Sequence, residues 1–296
     1  MINGSAPRIL ITGNRGFTGK HVTKIFEQAG FTCTGLTRRH TCGEDPIDLA
    51  DIQNIRACLE EVRPTHILHL AAKALVTYQD PMEFYRVNLF GTLNLLQAVD
   101  DLALAPESIV LASSANIYGM HPICPIREEQ PPEPANHYAM SKLAMEHMAR
   151  IWGDRLPIVI ARPFNYTGPG QSDSFLIPKL IRHFHYRNPS IRLGNVDVVR
   201  EFNDVRFVAH AYRILLESAI PGSVYNICSG HGYSIQQVLD TLGHITGHQI
   251  KVEADSDLMR ANELKILIGD NLRLTELAGP LPAFTLEDTL RSMLST

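Results

Sequence analysis

A doubly wound α/β fold, a parallel sheet with a smaller C-terminal α/β lobe, is predicted for this chain by three observations. As far as Arg162, short apolar runs alternate with stretches of helical apolar spacing. The first apolar run opens into a glycine loop that leads straight into a helix. Beyond Pro163 the runs shorten and turn-rich segments separate them. Strands alternating with helices require crossover connections, and these give parallel pairing with helices on both faces.

The elements follow in order. Arg8-Ile-Leu-Ile-Thr-Gly13 is a buried first strand. Gly13-Asn-Arg-Gly16-Phe-Thr-Gly19 is a loop, and Lys20 to Gly30 is a helix with Val22, Ile25, Phe26 and Ala29 on one side. In that setting glycines permit a tight turn and close backbone approach to a pyrophosphate, while the helix N-terminus favours negative charge. This is the Rossmann arrangement, so Gly13, Arg15, Gly16, Phe17 and Gly19 are candidate cofactor ligands. Phe31 to Thr37 makes the second strand. A site for NAD places an acidic residue near its end to hold the ribose 2′-hydroxyl. Here Thr37, Arg38 and Arg39 stand there, and two guanidiniums suit a 2′-phosphate. NADP(H) is therefore expected ahead of NAD.

Asp48-Leu49 is expected beside the adenine, and Asp51 to Val62 reads as a helix. His66-Ile-Leu-His-Leu-Ala-Ala72 is the third strand, and Pro81 to Leu102 contains a long helix that includes Asn88. Ser108 to Ser114 is the fourth strand, followed by Ala115-Asn-Ile-Tyr-Gly119. The proline-rich stretch Pro122 to Pro134 reads as a loop, and Leu156 to Arg162 as the fifth strand. In the second half Phe175 to Phe184 has a helical pattern, Ile191 to Asn195 that of a short strand, and Ser223 to Cys228 that of another. Arg200 to Val205 precedes a helix through Ala219, Ser234 is an N-cap, and Leu286 to Leu294 closes the chain as a helix. On this pattern residues 1–163, with returning elements at about 201–227, form the dinucleotide-binding domain, and 164–200 with 228–296 the smaller lobe.

Bulk properties narrow the function classes. The chain has 296 residues, 45% hydrophobic and 20% charged, which is a globular composition large enough for a sizeable core. A formal net charge of −4 gives no electrostatic case for nucleic acid or an anionic membrane. No apolar run reaches a membrane span and the N-terminus has no signal-peptide pattern, so the cytoplasm is the expected location. Cys33, Cys42, Cys58, Cys124 and Cys228 are scattered, with no C-x-x-C pair, and read as reduced structural thiols. His66 with His69, and His183 with His185, are weak ligand patterns, and no metal site is expected.

The chemistry is placed in His137-Tyr-Ala-Met-Ser-Lys-Leu-Ala-Met-Glu146. Tyr138 and Lys142 stand four apart, and on a helix that spacing puts both on one face. A phenol is a poor acid or base at neutral pH, and a neighbouring ammonium stabilises its anion and lowers its pKa. A tyrosine so tuned can exchange a proton with a carbonyl or alcohol oxygen.

Jointly, Thr12 to Gly19, Asp48-Leu49, His69-Leu-Ala-Ala72, Asn88, Ser113 to Gly119, Tyr138 to Lys142 and Arg162-Pro-Phe-Asn165 resemble the extended short-chain dehydrogenase/reductase family. That resemblance implies roles. Tyr138 is the proton donor, Lys142 binds the nicotinamide ribose and lowers the tyrosine pKa, and Ser114 holds the substrate oxygen. Leu70, Ala71, Ala72 and Asn88 belong to the cofactor site, and a homodimer is expected. The second half resembles the members that act on nucleotide-diphosphate sugars. Asn165 and Arg200 are implied for the diphosphate, while Arg260 and Glu263 resemble the GDP-mannose branch without its proline. Glu201 departs from the aspartate usual after that arginine. The implied reaction is NADPH-dependent reduction of the C4 ketone of a 4-keto-6-deoxy sugar, GDP-4-keto-6-deoxy-D-mannose to GDP-D-rhamnose.

Other readings are distinguishable. A 4,6-dehydratase needs an acid and a base after the serine, where this chain has Ala115 and Asn116. A combined 3,5-epimerase and 4-reductase would want a cysteine after Ser114. An NAD-dependent 4-epimerase uses the same Ser, Tyr and Lys but retains its cofactor. A non-catalytic NADP-binding sensor or scaffold is the reading from another class, against which the intact Ser114, Tyr138 and Lys142 speak.

Overall fold

The computed structural model describes residues 6–40, 43–74, 80–119, 123–258 and 265–295. Its organising element is a six-stranded sheet. Strand β1 is Arg8–Thr12 and leads through helix α1, Phe17–Gln28, to β2, Thr32–Gly35. A hairpin of β3, Thr37–His40, and β4, Gly43–Pro46, precedes α2, Ile52–Val62, and β5, His66–His69. The connection to β6, Ser108–Ala112, runs through α3, Met82–Phe84, a π-helical stretch Tyr85–Phe90, and α4, Gly91–Asp101. Helix α5, His137–Arg150, leads to β7, Ile158–Pro163. Strand Val224–Ile227 completes the sheet beyond β7, in the order Val224–Ile227, β7, β6, β5, β1, β2. The pairs of β1 with β2 and β5, of β5 with β6 and of β6 with β7 are all parallel.

Strand order reverses between β1 and β5. The loops leaving these two strands therefore diverge, and such a switch point is where doubly wound sheets bind ligands. Strands β5 and β6 are buried along their whole length, as expected of strands covered on both faces. One face is filled by Leu10, Ile67, Ile109 and Ile160 packed against Ile55, Leu59, Leu95, Leu96 and Val99 of α2 and α4 and Met145 and Ala149 of α5.

Three sequence expectations are corrected here. The second strand ends at Gly35 instead of Thr37, because Leu36 turns into the core and the chain then starts the β3–β4 hairpin. The helix expected across Pro81 to Leu102 is not regular α-helix, since Tyr85–Phe90 is π-helical. Of the elements expected to return near 201–227, only Val224–Ile227 joins the large sheet. Asn203–Asp204 pairs instead with Tyr166–Thr167.

Contacts divide the chain into two compact units. The first draws on Met1–Ile117, Pro134–Arg162 and Ala209–Tyr225, and the second on Tyr118–Glu133, Pro163–Val208 and Asn226–Thr296. The proline-rich segment falls in the second unit. Ile126 bridges Gly269, its carbonyl accepts from Asn226 Nδ2, and Glu128 accepts from the Asn226 amide. The second unit has its own core of Leu180, Phe184, Leu193, Val238, Leu242 and Leu290. Ser234 caps helix Ile235–Thr246 in a reciprocal capping box with Gln237. No described helix is long and apolar enough to cross a membrane.

Helix α5 is tied to the sheet by charge as well as by packing. Glu146 Oε1 and Oε2 accept from Arg162 Nε at 3.0 Å and Nη2 at 2.7 Å, and Ser113 Oγ donates to the same carboxylate. The two charged side chains are 0% and 3% exposed. A buried pair of this kind costs much to desolvate, and removing one partner strands the other. Arg162→Met should therefore lose about 3–5 kcal/mol in urea unfolding, and Glu146→Leu with Arg162→Met together should lose less than Arg162→Met alone.

Candidate active site

The carboxyl ends of β1, β5 and β6 each release a segment that carries candidate residues. After β1, Gly13 adopts φ +72°, and a Cβ there would lie 3.0 Å from the Ala71 backbone. A Cβ on Gly19 would lie 2.2 Å from the Gly13 carbonyl. The chain thus needs glycine at these places, one for its left-handed turn and one for the close seating of α1 on the loop. Gly16 is the N-cap of α1 and brings no side-chain cap, and the first turn holds no acidic residue. A helix start of that kind offers its N–H groups to an anion. These features fit a dinucleotide pyrophosphate. Arg15 is exposed on the loop, and Phe17 packs edge-on against His21.

Arg38 and Arg39 lie on β3, paired through the backbone with Asp45 and Glu44. Asp48 is exposed and 3.6 Å from Arg86. Leu49 sends its side chain into the core, where it meets Gly91, and its carbonyl accepts from Asn94 Nδ2. Past β5, Leu70, Ala71 and Ala72 have no regular secondary structure and pass beside the glycine loop, with the Ala71 amide donating to Thr12 Oγ1. Lys73, for which the sequence offers no role, is held through its backbone. Its amide donates to Asn88 Oδ1 at 2.9 Å, and its carbonyl accepts from Asn88 Nδ2 at 3.1 Å.

Helix α5 carries the candidate pair Tyr138 and Lys142. Asn136 caps it by accepting from the Ala139 amide at 2.9 Å, which fixes the first turn where Tyr138 sits. The Tyr138 ring meets Phe84 edge-on at 6.1 Å, and the residue is 9% exposed. Ser141 Oγ donates to the Tyr138 carbonyl and accepts from Asn88 Nδ2. Lys142 is 3% exposed and donates to the Ala112 carbonyl at 2.6 Å, at the end of β6. Burial pulls the Lys142 ammonium down to about 8, and the Glu146 carboxylate opposes that shift. Lys142 thus holds a buried charge at the end of β6, one helical turn from Tyr138.

Ser113 and Ser114 leave β6 in different roles. Ser113 donates to Glu146, so its hydroxyl belongs to the buried ion pair. Ser114, 5% exposed, accepts from the Asn116 amide at 3.1 Å as the chain enters a 3₁₀ turn, Ala115–Tyr118. Ser114, Tyr138, Lys142 and Asn88 all belong to the first unit.

In the second unit Asn165 is exposed and its carbonyl accepts from the Asn203 amide. Arg200 is half-buried on a three-stranded sheet, and its Nη1 donates to the Val199 carbonyl at 2.8 Å. Glu201 accepts from the amides of Gly269 and Ser229, from Ser229 Oγ and from Asn203 Nδ2. Arg260 and Glu263 lie outside the described residues. Sequence reasoning did not single out Asn136, Phe84, Ser141, Glu146 or the part of Arg162 that grips it. The i,i+4 spacing of Lys142 and Glu146 was the signal available for one of them.

Comparison with known proteins agrees with this geometry. The model of the NAD dependent epimerase/dehydratase family matches residues 9–228. A GDP-6-deoxy-D-talose 4-dehydrogenase of Aggregatibacter actinomycetemcomitans is 35% identical over 92% of this chain and 91% of its own length. A GDP-6-deoxy-D-mannose reductase of Pseudomonas aeruginosa is 34% identical over 97% and 96%. The solved structure of RMD from Pseudomonas aeruginosa complexed with NADPH superimposes with a TM-score of 0.88 at 33% identity, covering 98% of this chain and 97% of that one. With the glycine loop, the parallel sheet and the Tyr138–Lys142 helix in place, the chain belongs to the NAD dependent epimerase/dehydratase family.

Proposed function

We propose that this NAD(P)-dependent oxidoreductase of nucleotide sugars reduces the C4 ketone of GDP-4-keto-6-deoxy-D-mannose with NADPH, giving GDP-D-rhamnose. The observation that carries the reading is the segment after Ser114. Ala115 is buried and Asn116 cannot exchange protons, so the side chains there support no chemistry at C5 or C6. What remains is one hydroxyl hydrogen bond, one phenol and one ammonium, enough to add or remove hydrogen at a single carbonyl. The likeness to a reductase and a dehydrogenase of GDP-6-deoxy sugars supports the same class.

When bound, NADPH would supply the hydride to C4. Gly13, Gly16 and Gly19 with the start of α1 hold its pyrophosphate, Arg15, Arg38 and Arg39 its 2′-phosphate, and Asp48 with the Leu49 backbone its adenine. Leu70, Ala71, Ala72 and Asn88 line its path. Ser114 orients the ketone oxygen, Tyr138 delivers the proton to that oxygen, and Lys142 favours the phenolate that is left. Asn165 and Arg200 are assigned to the substrate diphosphate, and Arg260 and Glu263 to its GDP end. A homodimer and a cytoplasmic location complete the reading.

A second reading concerns configuration at C4. The GDP-6-deoxy-D-talose 4-dehydrogenase and the GDP-6-deoxy-D-mannose reductase are about equally similar to this chain, and their named sugars differ at that carbon. The assay is NADPH consumption with GDP-4-keto-6-deoxy-D-mannose, with NMR of the product. GDP-D-rhamnose supports the proposal and GDP-6-deoxy-D-talose the second reading. Tightly co-purified NAD, with C4 epimers interconverting and no net cofactor use, would identify an epimerase and overturn both.

Tyr138→Phe should lower turnover by about 10²–10⁴-fold, the usual worth of a general acid, with NADPH binding kept. Because the Lys142 ammonium deprotonates near 8, kcat/KM should fall on the alkaline side above about pH 8, a limb read from the pH profile of the free enzyme. Arg38→Ala with Arg39→Ala should weaken NADPH about tenfold or more and leave NADH nearly unchanged, as measured by calorimetry.

A further inference from the structure

Deep in the first unit a chain of hydrogen bonds runs from the end of β1 to the backbone of Tyr138. Thr12, His69, Thr92, Asn88 and Ser141 are all buried. His69 Nδ1 lies 2.7 Å from Thr12 Oγ1, and its Nε2 lies 2.8 Å from Thr92 Oγ1. The neighbours fix the proton positions. Thr92 Oγ1 donates to the Asn88 carbonyl at 2.8 Å, so it is an acceptor toward the ring, and Nε2 carries the hydrogen. Thr12 Oγ1 accepts from the Ala71 amide and donates to Nδ1. Burial, with the Lys142 charge adding to it, pushes the imidazole down to about 3, so the ring stays neutral, with one donor and one acceptor.

Phe84, Asn88 and Thr92 stand four apart along one connection. Phe84 meets the Tyr138 ring, Asn88 Nδ2 donates to Ser141 Oγ at 3.0 Å, and Ser141 Oγ donates to the Tyr138 carbonyl at 2.7 Å. Between Phe84 and Thr92 lies the π-helical stretch Tyr85–Phe90, whose register is not that of the flanking α-helix. A π-turn is less stable than an α-turn and needs outside contacts to hold it. The His69–Thr92 bond joins its carboxyl side to the sheet next to the glycine loop. The Asn88 amide joins its middle to Lys73 and to α5.

We propose that His69 and Thr92 are positioning residues for Tyr138: they lock the register of the π-helical stretch, so that Asn88 and Phe84 hold the tyrosine in line with the residues that follow β1. Both are buried and act through Asn88, Ser141 and the first turn of α5. The proposal rests on Tyr138 being the proton donor.

Thr92→Val keeps the shape of the side chain and removes the hydroxyl, while Thr92→Ser keeps the hydroxyl. A misplacement at the reacting centre costs about tenfold to a hundredfold. The expected result is a kcat loss of that size in Thr92→Val, a Kd for NADPH within about threefold of wild type, and near-wild-type kcat in Thr92→Ser. Unchanged kcat in Thr92→Val with a lowered Tm, or equal losses in the two variants, would overturn the proposal. Should Thr92→Val not fold, Thr92→Ala takes its place under the same criteria. If the wild-type protein fails to consume NADPH with the 4-keto sugar, the substrate assignment falls by itself. Amide hydrogen exchange at Ala139 to Lys142 then decides the positioning: faster exchange in Thr92→Val than in wild type supports it, and equal exchange overturns it.

Discussion

A positive charge held out of water between β6 and α5 is the constraint on which the rest of the candidate site depends. Lys142 is almost wholly buried, and a lone ammonium in such a place would be expected to give up its proton. The Ala112 carbonyl and the Glu146 carboxylate oppose that tendency. Glu146 is itself a buried charge, and Arg162 and Ser113 stabilise it in turn. The order of charges from the helix to the sheet is ammonium, carboxylate, guanidinium, each held by the next.

The large sheet was legible because its physics is local and repetitive. Apolar runs such as Ile9-Leu-Ile11 and Ile67-Leu68 are short, bounded by turn or polar residues and followed by helical spacing, which marks them as buried strands. The glycine loop was legible because steric demand at Gly13 and Gly19 excludes other residues. Tyr138 and Lys142 were legible as a pair because i,i+4 spacing is a property of any helix. What sequence could not give were relations between distant segments. The ties of Asn88 to Lys73 and Ser141, and of Glu146 to Arg162, depend on how strands and helices are stacked. The β3–β4 hairpin was missed because Leu36 looks like one more strand residue until its burial in the core is seen.

In the proposed reaction, selectivity between reaction types rests on very few atoms. The same phenol and ammonium could serve oxidation, reduction or epimerisation, and the distinction lies in what surrounds the carbonyl and in how firmly the cofactor stays. Ala115 and Asn116 remove options by offering no proton traffic next to Ser114. Glu201, longer by one methylene than the aspartate expected there, gathers donors from three separate segments and so braces the backbone around Arg200 and Gly269.

The π-helical stretch Tyr85–Phe90 carries a consequence for how this region can vary. A turn of that type holds about one residue more than the α-helical turn it interrupts. Deleting one residue inside it would leave ordinary α-helical winding, with the flanking turns nearly in place and the side chains within the span, Asn88 among them, re-aimed. Side-chain replacements on the outer surface would leave that winding intact. Chain length across this short span is therefore constrained more tightly than composition.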